Sequence, residues 1–377
     1  HRPGEAQART SSLGPQREKW GERHSPSEHS RRGTEVARGN KNLAAGVLNL
    51  ASGSSPHWEM SSLPGSREPL LRVAVTGGTH GNEMCGVYLA RYWLQNPGEL
   101  QRPSFSAMPV LANPAATAAC CRYLDRDLNR SCTLTFLGST ATPDDPYEVK
   151  RARELNQLLG PKGTGQAFDF TLDLHNTTAN TGVCLISESN ISFNLHLCHY
   201  LQRQNPGMPC RLFLYEPAGT ETFSVESISK NGICLEMGPQ PQGVLRADLF
   251  SRMRALVASI LDFIELFNQG MDLPAFEMDI YRNLGSVDFP RTADGDLAGT
   301  VHPQLQDHDF EPLRPGEPIF KLFSGEDVLY EGDSIVYPVF INEAAYYEKH
   351  VAFLKSEKIR VTVPALLRLT PRSTQTP

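Results

Sequence analysis

The sequence has no long apolar run, no apparent secretory signal and little net charge. Its most apolar helical stretch, RALVASILDFIELF, contains Asp262 and Glu265 at helical spacing, which predicts an amphipathic helix packed on a sheet rather than a membrane span. A formal charge of −6 over 377 residues offers no basic surface for nucleic acid. We therefore expect a soluble protein that binds neither nucleic acid nor a membrane through a spanning helix.

The sequence also lacks paired cysteine motifs, the nucleophile motif of serine hydrolases and the phosphate-binding loop motif of NTPases. The eight cysteines form no C-x-x-C pair or regular framework, so reduced thiols in the cytosol are expected, with Cys85 as a small buried residue. The chain contains neither a G-x-S-x-G elbow nor a G-x-x-x-x-G-K loop, which argues against a serine hydrolase and an NTPase.

Residues 1–59 differ in composition from the rest of the chain. They are rich in Ser, Gly, Arg and Glu, with nine basic and six acidic residues. Such a segment cannot bury enough apolar area to offset the entropy lost on ordering. We expect a disordered extension here, with the folded part of the chain beginning at Met60.

Strand-like and helix-like segments alternate over residues 60–270. The strand-like runs are RVAVT, SAMPVLA, FTLDL, GVCLIS, RLFLY and GICLE, and helical patterns begin near Glu83, Pro146, Phe193 and Leu245. Asp145 before Pro146, with Glu148 after it, is a helix-start signature. The alternation predicts an α/β domain with a largely parallel sheet flanked by helices.

Residues 271–377 have a different pattern. Short alternating runs are separated by Gly, Asp and Pro turns, which predicts a smaller antiparallel β-rich domain. Four histidines outside the motifs described below are expected at the surface: His196, His199, His302 and His308.

Three residues have the layout of a catalytic zinc site. His80 and Glu83 follow the first predicted strand in TGGTHGNE, and His175 ends the strand FTLDL. Catalytic zinc takes about three ligands from His and carboxylate and keeps one open position. Alternatively, Asn82 caps the next helix with Glu83 in its first turn, His80 is a turn residue and His175 a core histidine.

A second acid, Glu236, ends the short apolar strand GICLE. An unpaired carboxylate there is unfavourable unless it has a function, and a zinc hydrolase needs an unligated Glu that moves a proton between water and the leaving nitrogen. Asp173 lies on the same strand face as His175 and could accept its other ring N–H. Its alternative role is to cap a loop at the strand end.

The stretch CRYLDRDLNR concentrates charge. It contains Arg122, Asp127, Asn129 and Arg130, and arginines suit recognition of a carboxylate or polarisation of a carbonyl. A solvated turn with ion pairs explains the stretch equally well.

Several longer motifs together resemble the aspartoacylase family, and within it the aminoacylase III branch. They are GGTHGNE, NPAA, RYLDRDLNR, DLHNTT, GPQPQGV and YPVFINEAAYYEK, and they run from about Met60 to EKIRVTVP. The resemblance implies a zinc-dependent amidohydrolase with a carboxypeptidase-like α/β domain and a smaller β-rich carboxy-terminal domain. It also implies one zinc ion per subunit and a cytoplasmic homo-oligomer, and leaves peripheral membrane association open.

The resemblance assigns roles to individual residues. The metal ligands would be His80, Glu83 and His175, Glu236 would be the general base and acid, and Arg122 would polarise the scissile carbonyl. Asn129, Arg130 and Tyr346 would hold the substrate carboxylate, with Asp127 orienting the arginines.

The chain departs from aspartoacylases where their substrate's side-chain carboxylate binds. Those enzymes carry an arginine ten residues before the catalytic glutamate, where this chain has Glu226, and His350 after Lys349 replaces the second of two adjacent lysines. N-acetylaspartate should therefore be a poor substrate. The expected substrates are N-acetylated amino acids with aromatic or bulky apolar side chains, including N-acetyl S-substituted cysteines (mercapturates).

Three other functions remain open at this point. They are an aspartoacylase acting on N-acetylaspartate, a zinc carboxypeptidase that uses the same ligand layout, and a zinc-stabilised binding module. A structural zinc site would not need the additional acid Glu236, which argues against the binding module.

Overall fold

A nine-stranded sheet forms the centre of the protein in a computed structural model that describes residues 68–188, 192–216 and 221–366. In chain order the strands are β1 (Arg72–Gly77), β2 (Ser106–Leu111), β3 (Phe170–Asn176), β4 (Val183–Ser187), β5 (Cys210–Leu214), β6 (Gly232–Met237), β7 (Phe276–Val287), β8 (Gly299–Val301), β9 (Pro318–Leu322), β10 (Asp327–Leu329), β11 (Tyr337–Val339) and β12 (Phe353–Val363). The helices are α1 (Met84–Gln95), α2 (Pro114–Ala119), α3 (Leu134–Gly138), α4 (Tyr147–Leu159), α5 (Ser192–Gln204) and α6 (Ala247–Asn268). The extension predicted over residues 1–59 lies outside the described residues.

The first six strands and four long helices confirm the predicted α/β alternation. The sheet order is β11-β12-β7-β5-β4-β6-β3-β1-β2. Strands β2, β1, β3 and β6 run parallel, β4 runs antiparallel to β6, and β5 runs parallel to β4. The parallel strands β1, β3 and β6 are neighbours, so their carboxyl ends meet at one edge of the sheet.

Helices cover both faces of this sheet. On one face, Ala74 of β1 packs in a core cluster with Leu155 of α4. Successive residues of a strand point to opposite faces of the sheet. On the other face Phe170 of β3 contacts Phe193 of α5, and the two ring centroids are 5.4 Å apart. Phe193 in turn lies 5.0 Å from Phe267 of α6. The fold is therefore a three-layer α/β sandwich, as the continuous burial of β3 requires.

The carboxy-terminal region is antiparallel and β-rich, as predicted, but it also extends the main sheet. Strand β7 pairs with β12 over its full length and joins β5 through Phe213 and Tyr281. A separate three-stranded sheet, β10-β9-β8, packs its own apolar cluster around Phe320 and Phe353. The continuation of one sheet through both regions was not predicted, because strand pairing between distant segments leaves no local sequence pattern.

Helix α6 has the predicted amphipathic character. Its buried side includes Phe263 and Ile264, while Asp262 pairs with Arg102 at 2.7 Å and Glu265 accepts hydrogen bonds from Ser104. Among the described residues, no helix combines the length and the apolarity needed to cross a bilayer.

Three local predictions were wrong. Asp145 does not cap α4: its carboxylate binds Thr142 and Arg153, and Asp125 accepts the first helical N–H, from Tyr147, at 2.6 Å. The other two errors concern His196 and His302, expected at the surface but only 3 % and 9 % exposed. Nε2 of His196 donates a hydrogen bond to the carbonyl oxygen of Pro364. Nε2 of His302 lies 3.5 Å from Oδ1 of Asp327. Burial of these rings depends on packing between distant segments. The three corrected residues are Asp145, His196 and His302.

Candidate metal centre and active site

Three donor atoms meet where β1 and β3 end. The Nδ1 atom of His80 lies 2.6 Å from Oε1 of Glu83, and Nδ1 of His175 lies 2.9 Å from Oε2 of the same carboxylate. The two Nδ1 atoms are 3.2 Å apart, and all three side chains are buried. The turn between β1 and α1 supplies His80 and Glu83, and the last residues of β3 supply His175. Among the described residues this is the one group of three with metal-ligand geometry.

The turn that carries His80 and Glu83 depends on close backbone approach. A Cβ atom on Gly77 would lie 2.1 Å from the carbonyl oxygen of Gly86, so β1 and α1 can touch only where both lack side chains. The N-terminus of α1 is held by Asn176, whose Oδ1 accepts the N–H of Cys85 at 3.1 Å. Asn82 does not cap this helix, so that alternative reading of the motif is not supported.

The outer nitrogens of both rings are bound to carboxylates. Nε2 of His175 lies 2.8 Å from Asp173, and Nε2 of His80 lies 3.0 Å from Asp127. A carboxylate at Nε2 favours the proton on that nitrogen and leaves Nδ1 with a free lone pair. Two lone pairs then face each other and the carboxylate of Glu83, an arrangement that a bound cation stabilises. The donor set therefore fits a metal ion.

Asp127 contacts an imidazole and a lysine in addition to the arginine that it was expected to orient. Beside His80 it contacts Arg122 at 3.2 Å and Lys349 at 2.9 Å. Although burial opposes ionisation, the hydrogen bond from His80 and the charges of Arg122 and Lys349 hold the pKa of Asp127 well below its usual range. Asp127 thus joins one imidazole of the candidate metal centre to the cationic wall of the cleft.

Glu236 lies beside the three donors. It is the β6 residue that pairs with His175 of β3, and neighbouring strands are about 4.8 Å apart. The side chain is buried, lines the cleft, and its Oε1 has no hydrogen-bond partner among the described residues. Burial, and then the nearby charge of Glu83, raises the pKa of Glu236 well above its usual value. A carboxyl group in this setting can take up and release a proton.

Arg122 lines the same cleft. Its guanidinium contacts Glu83 at 3.3 Å and Asp127 at 3.2 Å, and its Nε is buried with no partner among the described residues. It therefore has unused hydrogen-bonding capacity and lies beside the candidate metal ligand Glu83.

Residues 122–130, called the arginine loop below, are held in place by one buried acid. The carboxylate of Glu148 in α4 accepts the N–H groups of Leu124, Asp125 and Arg126 at 2.7, 3.1 and 3.1 Å. It also accepts a hydrogen bond from Asn113 at 3.2 Å. Sequence reasoning treated Glu148 only as a helix-start residue, since nothing local indicates that its partners lie more than twenty residues upstream.

Replacement of Glu148 by Ala should impair both stability and catalysis. Three backbone donors would lose their buried acceptor, so we expect the free energy of unfolding to fall by about 2–4 kcal/mol. We also expect kcat/KM to fall by about 10²-fold, because small displacements of positioning groups have effects of that size. Denaturant unfolding and steady-state kinetics measure the two effects.

The matched control is Glu154→Ala on the same helix. The side chain of Glu154 is 61 % exposed, and its carboxylate pairs with Arg151 at 2.6 Å. This variant should behave like the wild type in both assays. Wild-type kcat/KM in Glu148→Ala would contradict the positioning role.

The remaining predicted substrate groups line the cleft from two sides. Asn129 and Arg130 come from the arginine loop, and Tyr346 comes from the 3₁₀ turn Ala344–Lys349 of the carboxy-terminal region. Oδ1 of Asn129 already accepts the N–H of Val225 at 2.9 Å, so its amide nitrogen is the atom left for a ligand.

Glu343 fixes the turn that carries Tyr346, and the sequence prediction missed it. Its carboxylate accepts hydrogen bonds from Thr177 and Thr178 after β3, and from the N–H of Ala345 at 2.9 Å. The carboxy-terminal wall of the cleft is thereby tied to the strand that supplies His175. A Glu just before a helical turn was the available signal.

The two residues that depart from the aspartoacylase pattern occupy different environments. Glu226 is 6 % exposed and lines the cleft. His350 is largely exposed and lies 3.5 Å from Asp288. Lys349 pairs with Asp127 and lies 5.5 Å from the ring of Tyr346.

The cysteines are free thiols. Cys85 is fully buried near the candidate metal centre and donates a hydrogen bond to Gln240 at 3.2 Å. Burial raises the pKa of Cys85 to about 11, which keeps the thiol protonated at neutral pH. This confirms the prediction that Cys85 is a small buried residue.

The sequence matches two described domains in order. Residues 69–264 match the succinylglutamate desuccinylase/aspartoacylase catalytic domain, and residues 276–358 match the AstE/AspA barrel-sandwich hybrid domain. The chain belongs to the succinylglutamate desuccinylase/aspartoacylase family. Membership confirms the resemblance drawn from the motifs.

Similar proteins are found among vertebrates. The chain is 85 % identical over 319 residues to the N-acyl-aromatic-L-amino acid amidohydrolase (carboxylate-forming) of Rattus norvegicus, across 84 % of this chain and all of that protein. Identity to the Homo sapiens protein of the same name is 70 %, across 83 % of this chain and 98 % of that protein. Aspartoacylase of Mus musculus is 43 % identical across 80 % of this chain and 97 % of its own length.

Solved structures support the fold. Succinylglutamate desuccinylase of Vibrio cholerae aligns with a TM-score of 0.52 at 19 % identity, covering 77 % of this chain and 82 % of that one. At this identity the likeness concerns the architecture alone. It agrees with the α/β sheet and the β-rich carboxy-terminal region described above.

Proposed function

We propose that this protein is a zinc-dependent amidohydrolase that releases acetate from N-acetylated amino acids with aromatic or bulky apolar side chains. The observation that carries the proposal is the convergence of His80, Glu83 and His175 beside the unpartnered acid Glu236. Membership of the family and the names of the rat and human relatives support hydrolysis of N-acyl aromatic amino acids.

Zinc is the proposed metal, with one ion per subunit. Two imidazole nitrogens and one carboxylate, each imidazole backed by a second carboxylate, form a donor set that suits zinc better than calcium or magnesium. When bound there, zinc would act as a Lewis acid that lowers the pKa of water to about 7 and polarises a carbonyl.

Glu236 is the proposed proton carrier. Its carboxylate would accept a proton from the attacking water at Oε1 and return that proton to the nitrogen of the leaving amino acid. Arg122 would donate hydrogen bonds to the amide oxygen as negative charge develops on it. Both groups line the same cleft as the three candidate ligands.

The substrate carboxylate is proposed to bind Asn129, Arg130 and Tyr346. The guanidinium of Arg130 lies over the ring of Phe223, with its central carbon 4.5 Å from the ring centroid, and this contact orients it. Aromatic residues from β5 and the next loop, including Phe213 and Tyr215, supply an apolar wall for the substrate side chain. Mercapturates with aryl groups on sulfur fit the same wall.

A substrate comparison tests the proposal. We expect kcat/KM for N-acetyltyrosine and for an S-aryl N-acetylcysteine to exceed that for N-acetylaspartate by at least about 10²-fold, because Glu226 leaves a second substrate carboxylate without a cationic partner. The same assay should include an unblocked peptide, which a carboxypeptidase would cleave. Faster hydrolysis of N-acetylaspartate would favour the aspartoacylase alternative, and cleavage of the peptide alone would favour the carboxypeptidase.

Other properties are proposed from the sequence patterns and the family resemblance. They are a catalytic domain over residues 60–270, a capping domain over residues 271–377, a homo-oligomeric state and a cytoplasmic location. Sedimentation equilibrium of the purified protein measures the oligomeric state.

A further inference from the structure

The side chain of Lys162 joins two segments that lie far apart in the chain. Its ammonium group donates to the carbonyl oxygens of Cys132 and Thr222 at 2.7 and 2.6 Å, and to the hydroxyl of Ser227 at 2.8 Å. An ammonium group has three protons, so these neutral oxygens use its full donor capacity. Cys132 follows the arginine loop, and Thr222 and Ser227 lie at the two ends of a turn before β6, called the 222–227 turn below. Lys162 takes no part in the mechanism proposed above, and sequence reasoning did not identify it.

The backbone of Lys162 is anchored on α4. Its N–H donates to Oδ1 of Asn156 at 2.8 Å, and the carbonyl oxygen of Asn156 accepts the N–H of Gly160 at 3.0 Å. The same helix carries Glu148, whose carboxylate holds the backbone of residues 124–126. Helix α4 therefore holds the arginine loop near its amino end and supports Lys162 beyond its carboxyl end.

The two segments that Lys162 joins also contact each other directly. The N–H of Cys132 donates to the carbonyl oxygen of Phe223 at 3.1 Å. Within the turn, the hydroxyl of Ser227 donates to the carbonyl oxygen of Ser224 at 2.6 Å, so one serine accepts from the lysine and also closes the turn. A charged donor makes stronger hydrogen bonds than a neutral one, and three such bonds from one nitrogen fix the separation of the two segments.

Contacts of the 222–227 turn hold the two residues of the arginine loop that are proposed to bind the substrate carboxylate. The N–H of Val225 donates to Oδ1 of Asn129 at 2.9 Å, which leaves the amide nitrogen of Asn129 for a ligand. The ring of Phe223 contacts the guanidinium of Arg130, whose central carbon lies 4.5 Å from the ring centroid. Asn129, Arg130 and Phe223 line the cleft, and Lys162 bonds to residues one or two positions from Phe223 and Arg130.

We propose that Lys162 is a positioning residue for the carboxylate end of the substrate. By holding the 222–227 turn against the end of the arginine loop, it fixes Asn129 and Arg130 relative to each other, so that both can bind the α-carboxylate of an N-acyl amino acid. A carboxylate binds most tightly to donors that are already in place, because ordering them on binding is unfavourable in entropy. The inference rests on the proposed function, which assigns the substrate carboxylate to Asn129, Arg130 and Tyr346.

Two substrates that differ only at the carboxylate test the proposal. N-acetyltyrosine has the carboxylate, and N-acetyltyrosinamide has a neutral carboxamide in its place. The measured quantity is the ratio of their kcat/KM values for acetate release, called the carboxylate preference below. We expect a preference of at least about 10²-fold in the wild type, because Arg130 would bind the carboxylate through charge-assisted hydrogen bonds. Loss of folded or metal-loaded enzyme lowers both values equally and cancels in the ratio.

Lys162→Met is expected to lower the carboxylate preference about 10-fold. Methionine keeps an unbranched side chain and removes the three donors, so the 222–227 turn is free to shift relative to the arginine loop. The KM for N-acetyltyrosine should rise about 10-fold while kcat changes by less than about 3-fold, because Lys162 donates to none of the groups assigned to the chemical step.

Three further variants separate positioning from direct binding and from loss of the fold. The control Lys150→Met removes an exposed lysine of α4 that also donates to a backbone carbonyl oxygen, and its preference should equal that of the wild type. Ser227→Ala keeps the lysine and both carbonyl acceptors, so its preference should fall only about 3-fold. In Asn129→Ala/Arg130→Ala the positioned groups are absent, and adding Lys162→Met should leave the preference unchanged.

The outcomes distinguish this inference from the proposed function. An unchanged preference in Lys162→Met, or in Ser227→Ala if the first variant does not fold, would overturn the positioning role and leave the amidohydrolase function intact. A further fall of about 10-fold on adding Lys162→Met to the double variant would also overturn it, since the lysine would then act by another route. A wild-type preference near one would overturn the assigned carboxylate site and this inference with it. Failure of the metal-loaded wild type to hydrolyse N-acetyltyrosine would overturn the proposed function itself.

Discussion

Glu236→Gln is expected to lower kcat by about 10³-fold while leaving the metal content unchanged. The substitution preserves the shape of a buried side chain and removes its ability to accept a proton. Because Glu236 is not one of the three converging donors, the candidate metal centre should remain assembled. Steady-state kinetics with N-acetyltyrosine and elemental analysis of the purified variant measure the two quantities.

A matched control is Glu154→Gln, which makes the same change on the exposed face of α4. Its kcat and metal content should equal those of the wild type. If Glu236→Gln retained wild-type turnover, the proton would have to be carried by another group and the assigned role would be wrong. Loss of metal from the variant would instead show that Glu236 supports the metal centre.

Removal of the metal is expected to abolish turnover, with a loss of at least about 10³-fold. A Lewis acid at the carbonyl contributes several kcal/mol to stabilisation of the transition state. Dialysis against a chelator should therefore inactivate the enzyme, and addition of zinc should restore activity. Glu83→Ala should have the same low activity, and zinc should not restore it, because Glu83 contacts both imidazoles.

The control compares the response to added zinc in the apo wild-type protein with the response in Glu83→Ala. Apo wild-type protein that regains activity with zinc establishes that the scaffold survives metal removal, so the permanent loss in Glu83→Ala can be assigned to the missing ligand. Full activity of wild-type protein from which the metal has been removed, verified by elemental analysis, would refute the metal-dependent mechanism.

Local patterns were sufficient for the elements of the α/β region. All six predicted strands and the four long helices are present, because alternating apolar runs and Gly or Pro boundaries act within about ten residues. The prediction was weaker where a terminus depends on a distant partner. Asp125, rather than the adjacent Asp145, accepts the first N–H of α4.

For the candidate site too, local patterns identified some of the residues and only the fold revealed the others. The sequence identified His80, Glu83 and His175, and it paired Asp173 with His175, because a spacing of two on a strand puts both on one face. The partner of His80 was not assigned. Asp127 comes from another segment, 47 residues along the chain, and only folding brings it to 3.0 Å from that ring.

The sequence by itself determined the chemical types of the candidate catalytic groups and the order of the elements that carry them, since short motifs and local periodicity indicate both. Tertiary structure alone decided that β7 continues the central sheet beside β5, that Glu148 holds the arginine loop, and that Lys162 joins Cys132 to the 222–227 turn. Each of these depends on contacts between residues far apart in the chain. Such contacts are selected by packing and by the burial of charge, which no local pattern records.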